Sequence, residues 1–346
     1  MKIISHITIV LSSFFLPVAA SVPIVSPEFN SLCKTNRQEC KTIGTHAKLA
    51  TDSIYRFFQA DRLQDKSKLE ETSQEIKSLI GVQEIDIVNR RLPLSQFFPA
   101  NSNVIFGGYA ILAKNTILID NKVSKVEYHI IVKGVFNELE DPNDLLAAIK
   151  VIPDNLTGKP KVALHQGMKN YAEAIFSSPQ FQTLLTEIIK LQEDKNNVEV
   201  ILSGHSLGGS CILLGALMND RGVKAENIKM ITFGAPLFLQ RGFIDRYSHL
   251  FQRTTRVEIE GDLLNNEVDS PLFIFYRILG YLPFGKLIRA TIPTATYKQT
   301  QAEINRLSLG KVDQDTLAKV TALQLAAISE RVQIHIFGYR GFYNLI

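Results

Sequence analysis

Residues 198–217 read V-E-V-I-L-S-G-H-S-L-G-G-S-C-I-L-L-G-A-L, and Gly204-His205-Ser206-Leu207-Gly208 within them is a G-x-S-x-G. A serine hydroxyl can open an ester by forming an acyl-enzyme, provided that a base and an orienting acid reach it. The pentapeptide alone arises by accident in roughly one chain in ten of this length. Its context gives it weight. V-E-V-I-L is a β-branched run of strand length, and L-G-G-S-C-I-L-L-G-A-L is an apolar run of helical length. Ser206 therefore stands where a strand turns sharply into a helix, the geometry of a nucleophile elbow. Gly204 and Gly208 keep the flanks of that turn small. Ser206 Oγ then projects above the sheet edge, and the Leu207 N–H lies where an oxyanion can sit. The competing reading is a glycine-rich turn with no chemistry.

The elements that must position such a serine are legible as alternating patterns. Strands are expected at 127–133, 198–203, 228–233 and 254–259. Helices are expected near 143–150, 166–192, 206–219, 240–250 and 314–331. That alternation means a mostly parallel sheet with helices on both faces, an α/β fold. Residues 104–133 look β-rich, broken at Gly107-Gly108, Lys114-Asn115 and Asp120-Asn121. Ahead of them, helical spacing of Ile54, Phe57 and Phe58, and of Leu69, Ile76, Leu79 and Ile80, predicts extra amino-terminal helices over 43–62 and 66–80. Residues 21–42 read as irregular.

G-H-S-L-G-G followed by T-F-G-A-P at 232–236 resembles the class 3 lipase family, α/β-hydrolases of the fungal-lipase type that act on acylglycerols and related esters. The resemblance covers roughly residues 125–265 and a short carboxy-terminal piece. It implies the chain order serine, acid, histidine, which leaves His249 and His335 after Ser206. His335, in V-Q-I-H-I-F-G-Y-R, matches the family's late histidine, with a core histidine on an apolar strand as the alternative. T-T-R-V-E-I-E-G-D matches the family's strand followed by an aspartate and makes Asp262 the acid, with Asp269 in reserve. The family's usual V-P follow-on is missing. Y-H-I-I-V-K-G-V (128–135) resembles the strand that ends in F-R-G-T or F-R-G-S, so the Val135 N–H becomes the second oxyanion donor without the usual hydroxyl. Each such donor contributes roughly 3 kcal/mol in the transition state. His165 matches a position that holds a strand-to-helix connection, and His205 would brace the elbow. The resemblance implies an exported lipase, a carboxylic ester hydrolase that needs no cofactor. Phospholipase A1 and acyltransferase chemistry fit the same site. A non-catalytic lipid-binding protein is the rival from another class.

The run 271–293, rich in Phe, Tyr, Leu and Ile, falls between Asp262 and His335. From Ser270 to Ala302 there is no Asp or Glu, while Arg277, Lys286, Arg289 and Lys298 are basic. An insert at 270–302 is either buried against the core or an acyl-pocket wall or lid that meets a membrane or lipid-droplet interface. Asn137–Asp144 forms a candidate polar flap.

Bulk properties bound the rest. The chain has 346 residues, 45% hydrophobic and 21% charged, with a formal charge of +4. That is enough for one domain over 21–346 with a sizeable core, and the charge is too small and too evenly spread for nucleic acid. No H-x-x-x-H, H-E-x-x-H or C-x-x-C occurs, so no metal is implied. Residues 1–20 read as a signal peptide, with Lys2, an apolar run over Ile3–Pro17 and Val18-Ala19-Ala20 before the cut. An uncleaved anchor is the alternative, but the run is short of the ~20 residues a span needs. Export would make the protein periplasmic or extracellular, where Cys33 and Cys40 can pair; two free thiols remain the other reading. Cys211 reads as a small core residue. Nothing in the sequence speaks to oligomeric state.

Overall fold

The computed structural model describes residues 26–82, 84–90, 108–119, 122–135, 153–156, 159, 162–264, 276–293, 295–309 and 314–345. The expected signal peptide, the flap at 137–144, the helix at 143–150, Asp269 and the first part of the 270–302 insert lie outside them.

Seven strands build the central sheet. β1 (Ile85–Arg90), β2 (Gly108–Ile119) and β3 (Lys122–Val132) run antiparallel to one another. β4 (Val198–His205), β5 (Ile228–Phe233), β6 (Thr254–Ile259) and β7 (Lys286–Ala290) then add in parallel beside β3, in that order. The mostly parallel α/β architecture is thus present. The expected break at Lys114-Asn115 is not: β2 runs through it, because both side chains find partners off the sheet. Lys114 pairs with Glu187, and Asn115 Nδ2 donates to the Ile80 carbonyl at 3.2 Å. Part of the expected insert is sheet as well, since residues 286–290 form edge strand β7. A smaller sheet joins Tyr281–Leu282, Leu239–Gln240, Ala163–His165 and Pro153–Asn155.

Residues 27–42 are helical rather than irregular. α1 (Pro27–Thr35) starts with Pro27 in its first turn and Ser26 as its cap, Ser26 Oγ accepting from the Phe29 N–H at 3.1 Å. α2 (Arg37–Lys48) starts on Asn36, whose Oδ1 accepts from the Glu39 N–H at 3.0 Å. Each cap is worth about 1 kcal/mol, and S-P-E and N-R-Q-E are the sequence signals that carry them. The Cys33–Cys40 disulfide ties α1 to α2. A π turn, Leu49–Ser53, leads into α3 (Ile54–Leu63), and α4 (Lys66–Ile80) follows, ended by Gly81 at φ 70°. The single helix expected at 166–192 is two, α5 (Gln166–Phe176) and α6 (Pro179–Glu193), because Ser178-Pro179 caps and restarts the chain. α7 (Cys211–Asp220) follows the elbow, with Cys211 free and buried. The helix expected at 240–250 is also split, into Arg241–Arg246 and Ser248–Phe251. α8 (Tyr297–Ser308) and α9 (Gln314–Phe337) complete the fold, and α9 continues six residues beyond the expected 331. Among the described residues no helix is long and apolar enough to cross a membrane.

The sheet separates two cores. On one face Tyr128, Ile130, Val200, Leu202 and Met230 pack against α5, α6 and α7 through residues such as Tyr171, Phe181 and Leu213. On the other, Ile131, Ile201, Ile231 and Val257 pack against the amino-terminal helices through Ile43, Phe57 and Phe58, and against Ile334 and Phe342 from the carboxy-terminal end. Phe29 of α1 meets Phe342 edge to face at 5.3 Å, and Ser26 Oγ donates to the Arg289 carbonyl at 2.9 Å.

Candidate active site

β4 is buried along both faces, as a central parallel strand must be. Directly after its last residue, Ser206 takes φ +57°. This left-handed backbone is unfavourable for any residue with a Cβ and persists only where the surroundings enforce it. Here the enforcement is close packing: a Cβ at Gly204 would sit 1.9 Å from the Gly208 carbonyl oxygen. A tight 3-10 turn, Ser206–Ser210, then feeds α7. Ser206 is 6% exposed and Leu207 is buried behind it.

The end of β3 lies against this elbow. A Cβ at Gly134 would fall 2.2 Å from the His205 carbonyl oxygen, so V-K-G-V needs its glycine for the two backbones to meet. Val135 follows on the adjoining loop. Lys133, which the sequence reading passed over, is fully buried, with Nζ donating to the Gly134 carbonyl at 2.9 Å and lying 4.2 Å above the Phe58 ring. Tyr171 Oη also donates to the Lys133 carbonyl, at 3.0 Å. The loop that carries Val135 is therefore held from both cores.

Asp262 and His335 come together. Asp262 follows β6 by a short turn and is fully buried. His335 sits in the last turn of α9, not on a strand. His335 Nδ1–H donates to Asp262 Oδ1 at 2.9 Å and Oδ2 at 3.1 Å, which leaves Nε2 as the nitrogen available to a hydroxyl. Burial by itself would raise the Asp262 carboxyl. The charge of His335, hydrogen bonds from His335 and Tyr339, and the Leu264 N–H outweigh it and hold the group below its usual range. Ser206 Oγ makes no hydrogen bond among the described residues; catalytic hydrogen bonds of this kind tighten on a bound substrate.

Three further side chains fix this pair. Tyr339 Oη donates to Asp262 Oδ2 at 2.5 Å and accepts from the Ile259 N–H at 3.1 Å. Burial, then the neighbouring Asp262 charge, pushes the phenol well above its ordinary range, so it stays a donor. Arg331 Nη2 reaches the Asp262 carbonyl at 3.5 Å. His205 Nε2–H donates to the His335 carbonyl at 2.8 Å, and its Nδ1 accepts from Tyr55 Oη at 3.0 Å. Burial, reinforced by His335, drops the His205 imidazole to about 3, so it is neutral and keeps this tautomer. Tyr339 lies one helical turn beyond His335, a spacing that could have flagged it. Tyr55 carries no such signal, because only tertiary packing brings α3 to the elbow.

The remaining histidines have other settings. His165 Nδ1 caps α5, accepting from the Met168 N–H at 3.3 Å. His249 bonds to Asn219 at 3.0 Å, at the end of α7 remote from Ser206. His46 lies between Ser203 (2.8 Å) and His129 (3.2 Å), beneath the elbow. Among the described residues no group of three or more His, Cys, Asp or Glu is placed to hold a metal ion.

Residues 130–266 match the family model for lipase (class 3). The matched segment contains Val135, Ser206, Leu207 and Asp262 and ends before His335. Solved structures of similar shape include a fungal lipase in complex with an inhibitor, at 17% identity, covering 77% of this chain and 82% of that one, with a TM-score of 0.49. The Rhizomucor miehei triacylglyceride lipase aligns at 16% identity over 77% of this chain and 83% of its own, TM-score 0.48. A lipase from Rhizopus microsporus var. chinensis aligns at 13% over 79% and 80%, TM-score 0.48. No curated protein matches the chain.

Proposed function

We propose that this chain is a lipase-type serine ester hydrolase with Ser206, His335 and Asp262 as its triad. The observation that carries the reading is the hydrogen-bonded Asp262–His335 pair in a fold whose elbow holds Ser206 in left-handed backbone; the class 3 lipase match over the elbow supports it. Ser206 Oγ attacks the carbonyl carbon of a lipid ester while His335 Nε2 takes its proton. Asp262 holds the imidazole in the right tautomer and stabilises the imidazolium. The Leu207 and Val135 N–H groups receive the oxyanion. His335 then protonates the departing alcohol, and water, deprotonated in turn by His335, releases the fatty acid. Acylglycerols are the substrate class, and no cofactor takes part. Export through residues 1–20 is part of the same reading, supported by the Cys33–Cys40 disulfide, a bond suited to oxidising compartments.

A fluorophosphonate probe and a panel of triacylglycerol, monoacylglycerol, phospholipid and short soluble esters test this. Wild type is labelled and active. Ser206→Ala is unlabelled and inactive, and Asp262→Asn folds but loses about 10⁴ in kcat. Activity surviving in Ser206→Ala removes the mechanism.

A further inference from the structure

Large apolar side chains are exposed unevenly. Ile278 (77%), Leu309 (90%), Leu317 (56%), Leu325 (40%) and Ile328 (46%) all come from the stretch between Asp262 and His335. Three of them are on α9. At 3.6 residues per turn, Leu317, Thr321, Leu325, Ile328, Val332 and His335 fall on one side of that helix. The other side turns Ala327, Arg331 and Ile334 into the protein. Between Asp315 and Glu330 the only charged residue of α9 is Lys319, and it is engaged with Glu303 at 3.9 Å. An uncharged, largely apolar stripe therefore runs about 27 Å, at 1.5 Å per residue, from the start of the helix to the imidazole. Leu309, just past the end of α8, adds to it at the start of α9. Helices on protein surfaces ordinarily turn charged residues outward, and contiguous exposed apolar patches mark contact with a partner or a membrane.

We propose that this stripe of α9, with Leu309, docks on an assembled lipid surface and so brings His335 to its substrate phase. The proposal rests on the lipid-ester reading above. Lipid is the occupant that fits because the stripe ends on His335. A protein lying along it would cover the entrance it leads to, whereas a lipid phase delivers esters along the same path. The charge of the neighbouring chain agrees: Lys286 and Arg289 are exposed, and no Asp or Glu occurs from Ser270 to Ala302, which suits headgroup phosphates.

The chain has no tryptophan, so Leu325→Trp in Ser206→Ala protein supplies a single emitter. With phosphatidylcholine vesicles its emission should shift to the blue and become shielded from iodide. Val123→Trp, at the end of β3 far from the elbow, should do neither. The combined variant Leu317→Ser, Leu325→Ser, Ile328→Ser should lose at least about tenfold in vesicle affinity and in hydrolysis of emulsified ester. Its rate on a water-soluble ester should stay within about twofold of wild type, which also reports that it folds. An indole signal from Leu325→Trp that vesicles leave unchanged, or vesicle binding undiminished in the combined variant, overturns the proposal. So does a wild-type dimer in sedimentation that the combined variant dissolves, since the stripe would then serve a second copy. If wild type hydrolyses no ester, the hydrolase reading fails while the vesicle measurements still decide the docking.

Discussion

On one side of the sheet, Tyr128, Ile130, Val200, Leu202 and Met230 meet α5 to α7 in an almost wholly apolar layer. On the other, a similar layer of Ile131, Ile201 and Ile231 is interrupted by buried polar contacts: Tyr55 to His205, and His46 to Ser203 and His129. Apolar packing is non-directional, so many side chains of the right volume would fill the first layer. Hydrogen bonds between buried groups accept one geometry and penalise the rest. The second layer therefore fixes where the amino-terminal helices sit. Because Tyr55 and His205 lead to the His335 carbonyl, it also fixes the backbone that presents the base. The first face supplies stability, and the second supplies position.

That division can be broken by experiment. The largest effect should come from Leu202→Ala, which opens a cavity in the apolar layer and costs about 2–5 kcal/mol in denaturant unfolding. The folded fraction should keep its kcat on a soluble ester; a matching loss of kcat would erase the distinction. Tyr55→Phe should show the reverse. It leaves His205 Nδ1 buried without a donor, at about 1–3 kcal/mol, yet kcat should fall by up to about 10² as the His335 backbone loses its anchor.

The smallest effect is a pH slope confined to the second face. Burial, aided by His129 and Lys229, lowers the His46 imidazole well below its ordinary value, and burial and His335 lower His205 to about 3. Unfolded histidines titrate near 6.5, so below that pH the unfolded chain takes up protons that the folded chain does not. These two groups therefore contribute their full stability above about pH 6.5 and lose it progressively as pH falls toward the folded values. His46→Gln should flatten part of that decline in Tm; an unchanged profile would assign the slope to other groups.

How much of this was readable beforehand follows the same divide. The strands at 228–233 and 254–259 and the strand-to-helix turn at Ser206 were legible, because β-branched runs and glycines act locally. Asp262 and His335 were reachable through chain order and family resemblance. The helical setting of His335 was not, since V-Q-I-H-I-F alternates as a strand would while α9 carries it as a last turn. Ser26 and Asn36 were readable caps that a short, Pro-containing segment disguised. Tyr55, His46 and Lys133 were beyond reach, since their roles come from contacts with residues far along the chain.

The meeting of Phe29 with Phe342, and of Ser26 with Arg289, has a kinetic consequence. Contacts between such distant parts of a chain pay their loop-closure entropy before they return any stability, so they form late. α5 to α7 connect strands that are near neighbours in sequence, and their face can assemble early. The polar-lined face must wait for both ends of the chain. Until then His46, Ser203 and His129 face water, and the isoleucines beside them form an open sticky surface. The same contacts that make the finished site exact in position thus set the interval during which the nascent molecule is most exposed to aggregation.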